Sequence, residues 1–147
     1  MLRQRIRLGA WRRPHQLPAS SSGIQLWGRT LAAPIGLAAG FDRDARLLPA
    51  LARLGFGAVE VGTLNTQPAA DAAAARIARW RARRQPPAGT LIGVSLGTLT
   101  PALDEPAVND LVALARRCET IADYIVLNLS RPGGQGRAWV DAQADLT

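Results

Sequence analysis

The chain has 147 residues, 48% hydrophobic and 20% charged, the balance of a globular polypeptide long enough to bury a core. Its net charge is +7 and all 18 basic residues are arginines, so Schiff-base chemistry and a lysine general base are excluded, because arginine keeps its proton in a protein. A single cysteine, Cys118, excludes an internal disulfide framework and a cysteine-based zinc site, and no apolar run approaches the ~18 residues of a membrane-crossing helix.

The first acidic residue is Asp42, which leaves a basic head carrying Arg3, Arg5, Arg7, Arg12, Arg13 and Arg29, with Leu2, Ile6 and Trp11 interleaved. Gly9 and Pro14 oppose a long helix there, so residues 1–22 read as a basic, flexible segment able to touch an anionic membrane surface. Residues 20–23 read as a loop, 24–27 as extended, and Gly28-Arg29 as a turn into Leu31-Ala32-Ala33. Residues 34–40 form an apolar run without a polar face, the pattern of a strand buried on both sides, with a regular strand predicted over 34–37. Leu47, Leu48, Leu51 and Leu54 then recur at helical spacing, and Gly55 supplies a left-handed stop.

Further strands are predicted at 58–62, 91–96 and 124–129. Residues 71–84 favour a basic helix by their alanine content, with Ala73, Ile77 and Trp80 on one face. Asp104 caps a last helix with Pro106 in its first turn, and Val108, Leu111, Val112 and Ala115 form its expected core face. Cys118 lies in that apolar stretch and reads as a small buried hydrophobe. Apolar strands alternating with amphipathic helices define parallel βαβ units, of which this length holds four. The expected fold class is therefore α/β.

The run Pro34-Ile35-Gly36-Leu37-Ala38-Ala39-Gly40-Phe41-Asp42-Arg43 resembles the flavin loop of dihydroorotate dehydrogenases, especially the membrane-associated class. Leu54-Gly55-Phe56-Gly57-Ala58-Val59-Glu60-Val61-Gly62-Thr63, Ile92-Gly93-Val94-Ser95-Leu96-Gly97 and Ala122-Asp123-Tyr124-Ile125-Val126-Leu127-Asn128-Leu129-Ser130 resemble three further motifs of that family, in order. Arg76-Ile77-Ala78-Arg79-Trp80 matches a stretch that runs extended in the family, against the helix read from composition. The resemblance implies a partial (β/α)8 barrel over residues 23–147, a half-barrel of about four units behind a short extended hairpin segment. It also implies an FMN site at the C-terminal ends of the strands. Its cofactor-binding residues would be Ala39, Gly40, Phe41, Asp42, Arg43, Thr63, Ser95 and Asn128, with Arg43 and Asn128 also facing substrate.

The departures bear on catalysis. Arg43 replaces the family's lysine, Ser95 an asparagine, Gly133 a substrate-binding asparagine and Arg131 the serine base, and a guanidinium cannot accept a proton. Ser130 neighbours that position but points to the opposite face of a strand. Only residues 81–90 span the interval in which the family carries an asparagine-rich substrate segment. The phosphate site of such barrels comes from loops after strands seven and eight. FMN is therefore expected to bind weakly or not at all to the chain alone, and no catalytic residue is assigned.

Three readings follow. The first is a catalytically incompetent relative acting as a subunit or scaffold, with a second copy or another subunit covering its open edges. The second is an FMN-dependent oxidoreductase of the pyrimidine pathway, converting dihydroorotate to orotate, either as a fragment of a longer chain or completed by a partner. The third is a nucleic-acid or anionic-surface binder using Arg76, Arg79, Arg81, Arg83 and Arg84 with Trp80, though no nucleic-acid-binding motif accompanies them. A cytoplasmic location, with peripheral membrane contact through the basic head, is expected.

Overall fold

A computed structural model describes residues 24–83, 89–99 and 104–128 of the chain. Two short strands, β1 (Gln25–Leu26) and β2 (Arg29–Thr30), pair antiparallel around Trp27 and Gly28, both at positive φ (49° and 73°). The turn thus falls one residue earlier than Gly28-Arg29. Two left-handed residues are what a two-residue hairpin needs to match the twist of its strands.

The main sheet has four parallel strands in chain order: β3 (Gly36–Asp42), β4 (Ala58–Leu64), β5 (Leu91–Leu96) and β6 (Tyr124–Leu127). The connections are a short helix α1 (Leu48–Leu51) running into a 3-10 turn over Ala52–Leu54, then α2 (Gln67–Arg83) and α3 (Glu105–Cys118). This is the α/β half-barrel expected from the alternation of strand and helix.

Val59, Val61, Ile92, Val94 and Leu96 point from β4 and β5 into one buried cluster. They meet Leu48 and Leu51 of α1, Ala73, Ile77 and Trp80 of α2, and Leu111, Leu114 and Cys118 of α3. The opposite face of these two strands carries Glu60, Gly93 and Ser95, because successive side chains alternate across a sheet.

Four expectations are corrected. β3 is an edge strand, exposed along most of its length rather than buried on both sides, since only β4 pairs with it among the described residues. The leucine helix is shorter than its spacing suggests: Leu48, Leu51 and Ala52 are buried, while Leu47 and Leu54 face solvent before left-handed Gly55 (φ 86°) ends it.

The third correction concerns residues 67–83, where α2 is helical and not extended as the resemblance implied. Thr66 opens it, accepting through its carbonyl from Ala70 N–H, and seven alanines from Ala69 to Ala78 carry the propensity. The fourth concerns α3, whose buried residues are Ala107, Leu111, Leu114 and Cys118; Val108 and Val112 are 42% and 44% exposed. Asp104 does cap α3, its Oδ1 accepting from Ala107 N–H at 3.0 Å, with Pro106 in the first turn. Residues 1–23, 84–88, 100–103 and 129–147, including Arg84, Ser130, Arg131 and Gly133, lie outside the described residues, as does the final position of the predicted fourth strand.

Candidate functional site

Two irregularities in the ladder build the C-terminal end of the sheet. Between the pairs Leu37↔Val59 and Asp42↔Val61, β3 advances five residues while β4 advances two, so the backbone over residues 38–41 bulges out of regular pairing. Ala39 N–H turns instead to Glu60 Oε2, at 3.1 Å. Between Val61↔Val94 and Leu64↔Leu96, β4 carries one residue more than β5. That extra residue moves Thr63 off the face of Val61 and onto the face of Ser95.

Thr63, Ser95 and Asn128 are consequently joined. Asn128 Nδ2 donates to Thr63 Oγ1 at 2.9 Å, and the Thr63 and Ser95 hydroxyls lie 3.1 Å apart in a hydrogen bond. Thr63 and Asn128 are half-buried. Ser95 is 1% exposed, and its hydroxyl meets that of Thr63 from the buried side. Beside this cluster, Gly40 sits at φ 106°, with open space where a side chain would be. A flat ring system could approach such backbone closely.

The remaining predicted residues divide. Phe41 is 64% exposed and Arg43 is exposed, both at the bulged edge. Asp42 is not directed at a ligand. It is 1% exposed, and its two oxygens accept from Arg46 N–H (3.0 Å) and Leu47 N–H (3.1 Å), tying the end of β3 to the start of α1. The carboxylate thereby satisfies two backbone N–H groups of the turn that precedes α1.

Two clusters escaped the reading of the sequence. Glu60, Gly93 and Tyr124 stand in one row across β4, β5 and β6. The Tyr124 ring lies over Gly93, where a Cβ would meet Cζ at 2.4 Å, and its hydroxyl donates to Glu60 Oε1 at 3.2 Å. Trp27 of the hairpin packs on the same ring, with centroids 5.5 Å apart. Burial and the Glu60 carboxylate push the Tyr124 phenol well above its ordinary range. A lone glutamate inside an apolar strand was the available signal.

The second cluster centres on Asp123 at the N-terminal end of the sheet. Its carboxylate accepts from Ile92 N–H (2.7 Å), Arg81 (2.9 Å) and Arg29 (2.5 Å). Burial alone would raise its pKa, but the Ile92 N–H and the two guanidiniums hold it below the ordinary value.

A half-barrel sheet whose strand C-termini present a bulged glycine loop and a Thr–Ser–Asn cluster defines a barrel-type α/β protein. Comparison with known proteins adds the family. The chain is 34% identical to the dihydroorotate dehydrogenase (quinone) of Thermobifida fusca, over 77% of this chain and 37% of that one. It is 36% identical to the Deinococcus deserti protein of the same name (88% and 42%), and 32% to that of Nitratiruptor (76% and 38%). The chain belongs to the dihydroorotate dehydrogenase family through the N-terminal half of that fold. It spans about two-fifths of the length of these curated relatives. No protein-family model matches it. The first alignment runs over 140 residues yet takes in only 77% of this chain, so it contains gaps where the relative is longer.

Proposed function

We propose that this chain supplies the ring-gripping half of a flavin site in a dihydroorotate dehydrogenase-type barrel, and that alone it does not oxidise dihydroorotate. The observation that carries this reading is the Thr63–Ser95–Asn128 cluster beside the bulged Gly40 loop, two neutral half-buried polar groups locked by a third beneath them. These residues fit the edge and face of FMN: Thr63 and Asn128 offer hydrogen-bonding groups, and the 38–41 backbone leaves room for a flat ring. FMN, when bound, would supply the hydride-accepting centre. The chain's own residues would orient the ring and shield one side of it from water.

The absence of turnover follows from Arg43 and Arg131, which stand where the family places a lysine and its serine base. A permanently protonated guanidinium cannot remove a proton from substrate, and losing a positioned base costs about 10²–10⁴-fold. The partner in this reading is a second half-sheet, from another copy or another polypeptide segment, that pairs with the open edges of β3 and β6. Exposed Ile35, Phe41 and Leu127 lie on those edge strands or beside them and would be covered by it.

The test titrates FMN into the full chain and follows flavin fluorescence, then adds dihydroorotate and a quinone. FMN binding weakened about tenfold by Thr63→Val, with no turnover by the native chain, supports the reading. Robust turnover by the native chain, or FMN binding indifferent to Thr63 and Asn128, overturns it. Sedimentation showing a stable monomer at high concentration would remove the partner.

The nucleic-acid reading loses its aromatic platform. Trp80 is 8% exposed and packed in the core, and Arg76 and Arg81 are engaged by Asp44 and Asp123.

A further inference from the structure

The helical layer carries a groove that the flavin reading does not use. It lies between the α1 segment and α2, has a volume of about 640 Å³, and brings together Arg46, Arg53, Arg76 and Arg79 above a floor that includes Pro49 and Trp80. The arginines come from two stretches well separated in sequence, so the groove exists only in the folded chain. Asp44 is the single carboxylate paired with them among the described residues, 2.6 Å from Arg46 and 3.4 Å from Arg76. Arg79 spends its Nε on the Ala75 carbonyl at 3.2 Å, and Arg53 makes no hydrogen bond or ion pair among the described residues.

Four guanidiniums against one carboxylate leave three positive charges uncompensated in a single concavity. Like charges at helical neighbour spacing, as in Arg76 and Arg79, are mutually destabilising in the absence of an anion. Guanidinium forks match phosphate oxygens two at a time, and an apolar floor lowers the local dielectric and strengthens each contact.

We propose that this groove binds a phosphate-bearing dianion or trianion, with Arg53 and Arg79 as its principal donors and Arg46 and Arg76 held in place by Asp44. The shared chemistry is the phosphate group, whether on a free diphosphate compound or on an anionic lipid headgroup. The site is independent of flavin binding, so neither proposal falls with the other.

The experiment titrates inorganic pyrophosphate into the full chain by calorimetry at low salt, using the native protein, Arg53→Gln, Arg79→Gln and, as a control on α3, Arg116→Gln. Binding weakened about tenfold by each groove variant and unchanged by the control is the expected result. A second arm floats the chain with phosphatidic acid or phosphatidylcholine vesicles, the former exposing a phosphomonoester that can carry a second negative charge. Retention on the anionic vesicles only, displaced by pyrophosphate and lost in the groove variants, assigns the phosphate to a lipid. Pyrophosphate binding without vesicle binding assigns it to a free compound. No pyrophosphate binding, equal weakening by Arg116→Gln, or Arg53- and Arg79-dependent binding of random duplex DNA alone overturns the proposal.

Discussion

The two ends of the parallel sheet are built from different chemistry. At the N-terminal end, Asp123 gathers two arginines and a backbone N–H, linking the hairpin, α2, β5 and β6 through charge. At the C-terminal end, Thr63, Ser95 and Asn128 make neutral hydrogen bonds and leave two members half-buried. A charged cluster resists displacement by water only when satisfied from several sides, whereas neutral groups can exchange partners cheaply. The contrast follows the division general to parallel barrels, in which the N-terminal face serves stability and ligand sites lie at the C-terminal face.

The strongest way to break this comparison is Asp123→Ala. It strands Arg81, whose Nε is already buried without a partner, and frees the Ile92 N–H. A loss of about 3 kcal/mol in urea unfolding is expected, since breaking a buried pair leaves its partner uncompensated. The same end should respond to acid. Asp123 titrates below its ordinary value of 3.8 when folded, so its contribution is fully present above that pH and is lost as the pH falls through the folded value. Asp123→Asn should flatten this part of the acid unfolding curve, and an unchanged curve would place the charge sensitivity elsewhere. Thr63, Ser95 and Asn128 have no charge to lose and should add nothing there.

Between the ends, Gly93→Ala drives a methyl into the Tyr124 ring and should cost about 2 kcal/mol, read as a lowered unfolding midpoint. The smallest effect is expected at the C-terminal end. Ser95→Ala removes one buried hydroxyl and should cost about 1 kcal/mol of stability while Thr63 keeps its bond from Asn128. A loss as large as that of Asp123→Ala would erase the distinction between the two ends.

Much of the sheet was legible because β5 is buried along its whole length and β4 is buried on one face and half-buried on the other, and apolar runs of that kind have few alternatives. α2 was legible from its alanines, and the resemblance misled there. Local propensity is a property of this chain, whereas an extended stretch in relatives is not. The face of α3 was misread because Val108 and Val112 complete a helical stripe as well as Ala107 and Cys118 do, and small residues weigh little in such patterns. Exposure of β3 could not be read from Gly36 to Gly40, since the run says only that no polar face exists. At the site, Thr63 and Asn128 were found by position. The burial of Ser95 and the turning-in of Asp42 depend on a bulge and a cap, which no spacing encodes.

The ring of Tyr124 has an optical consequence. It is the chain's single tyrosine, and it lies against Trp27 of the hairpin. At 5.5 Å between centroids, excitation absorbed by the phenol passes to the indole, so the folded chain should show almost no tyrosine emission. The raised pKa means that stability held by the protonated phenol is present below about pH 10 and is lost as the pH climbs toward the folded value. Tyrosinate absorbance should therefore lag behind that of a free phenol and rise only as the hairpin lifts away. One chromophore thus reports, without a label, whether the floor of the half-barrel is closed.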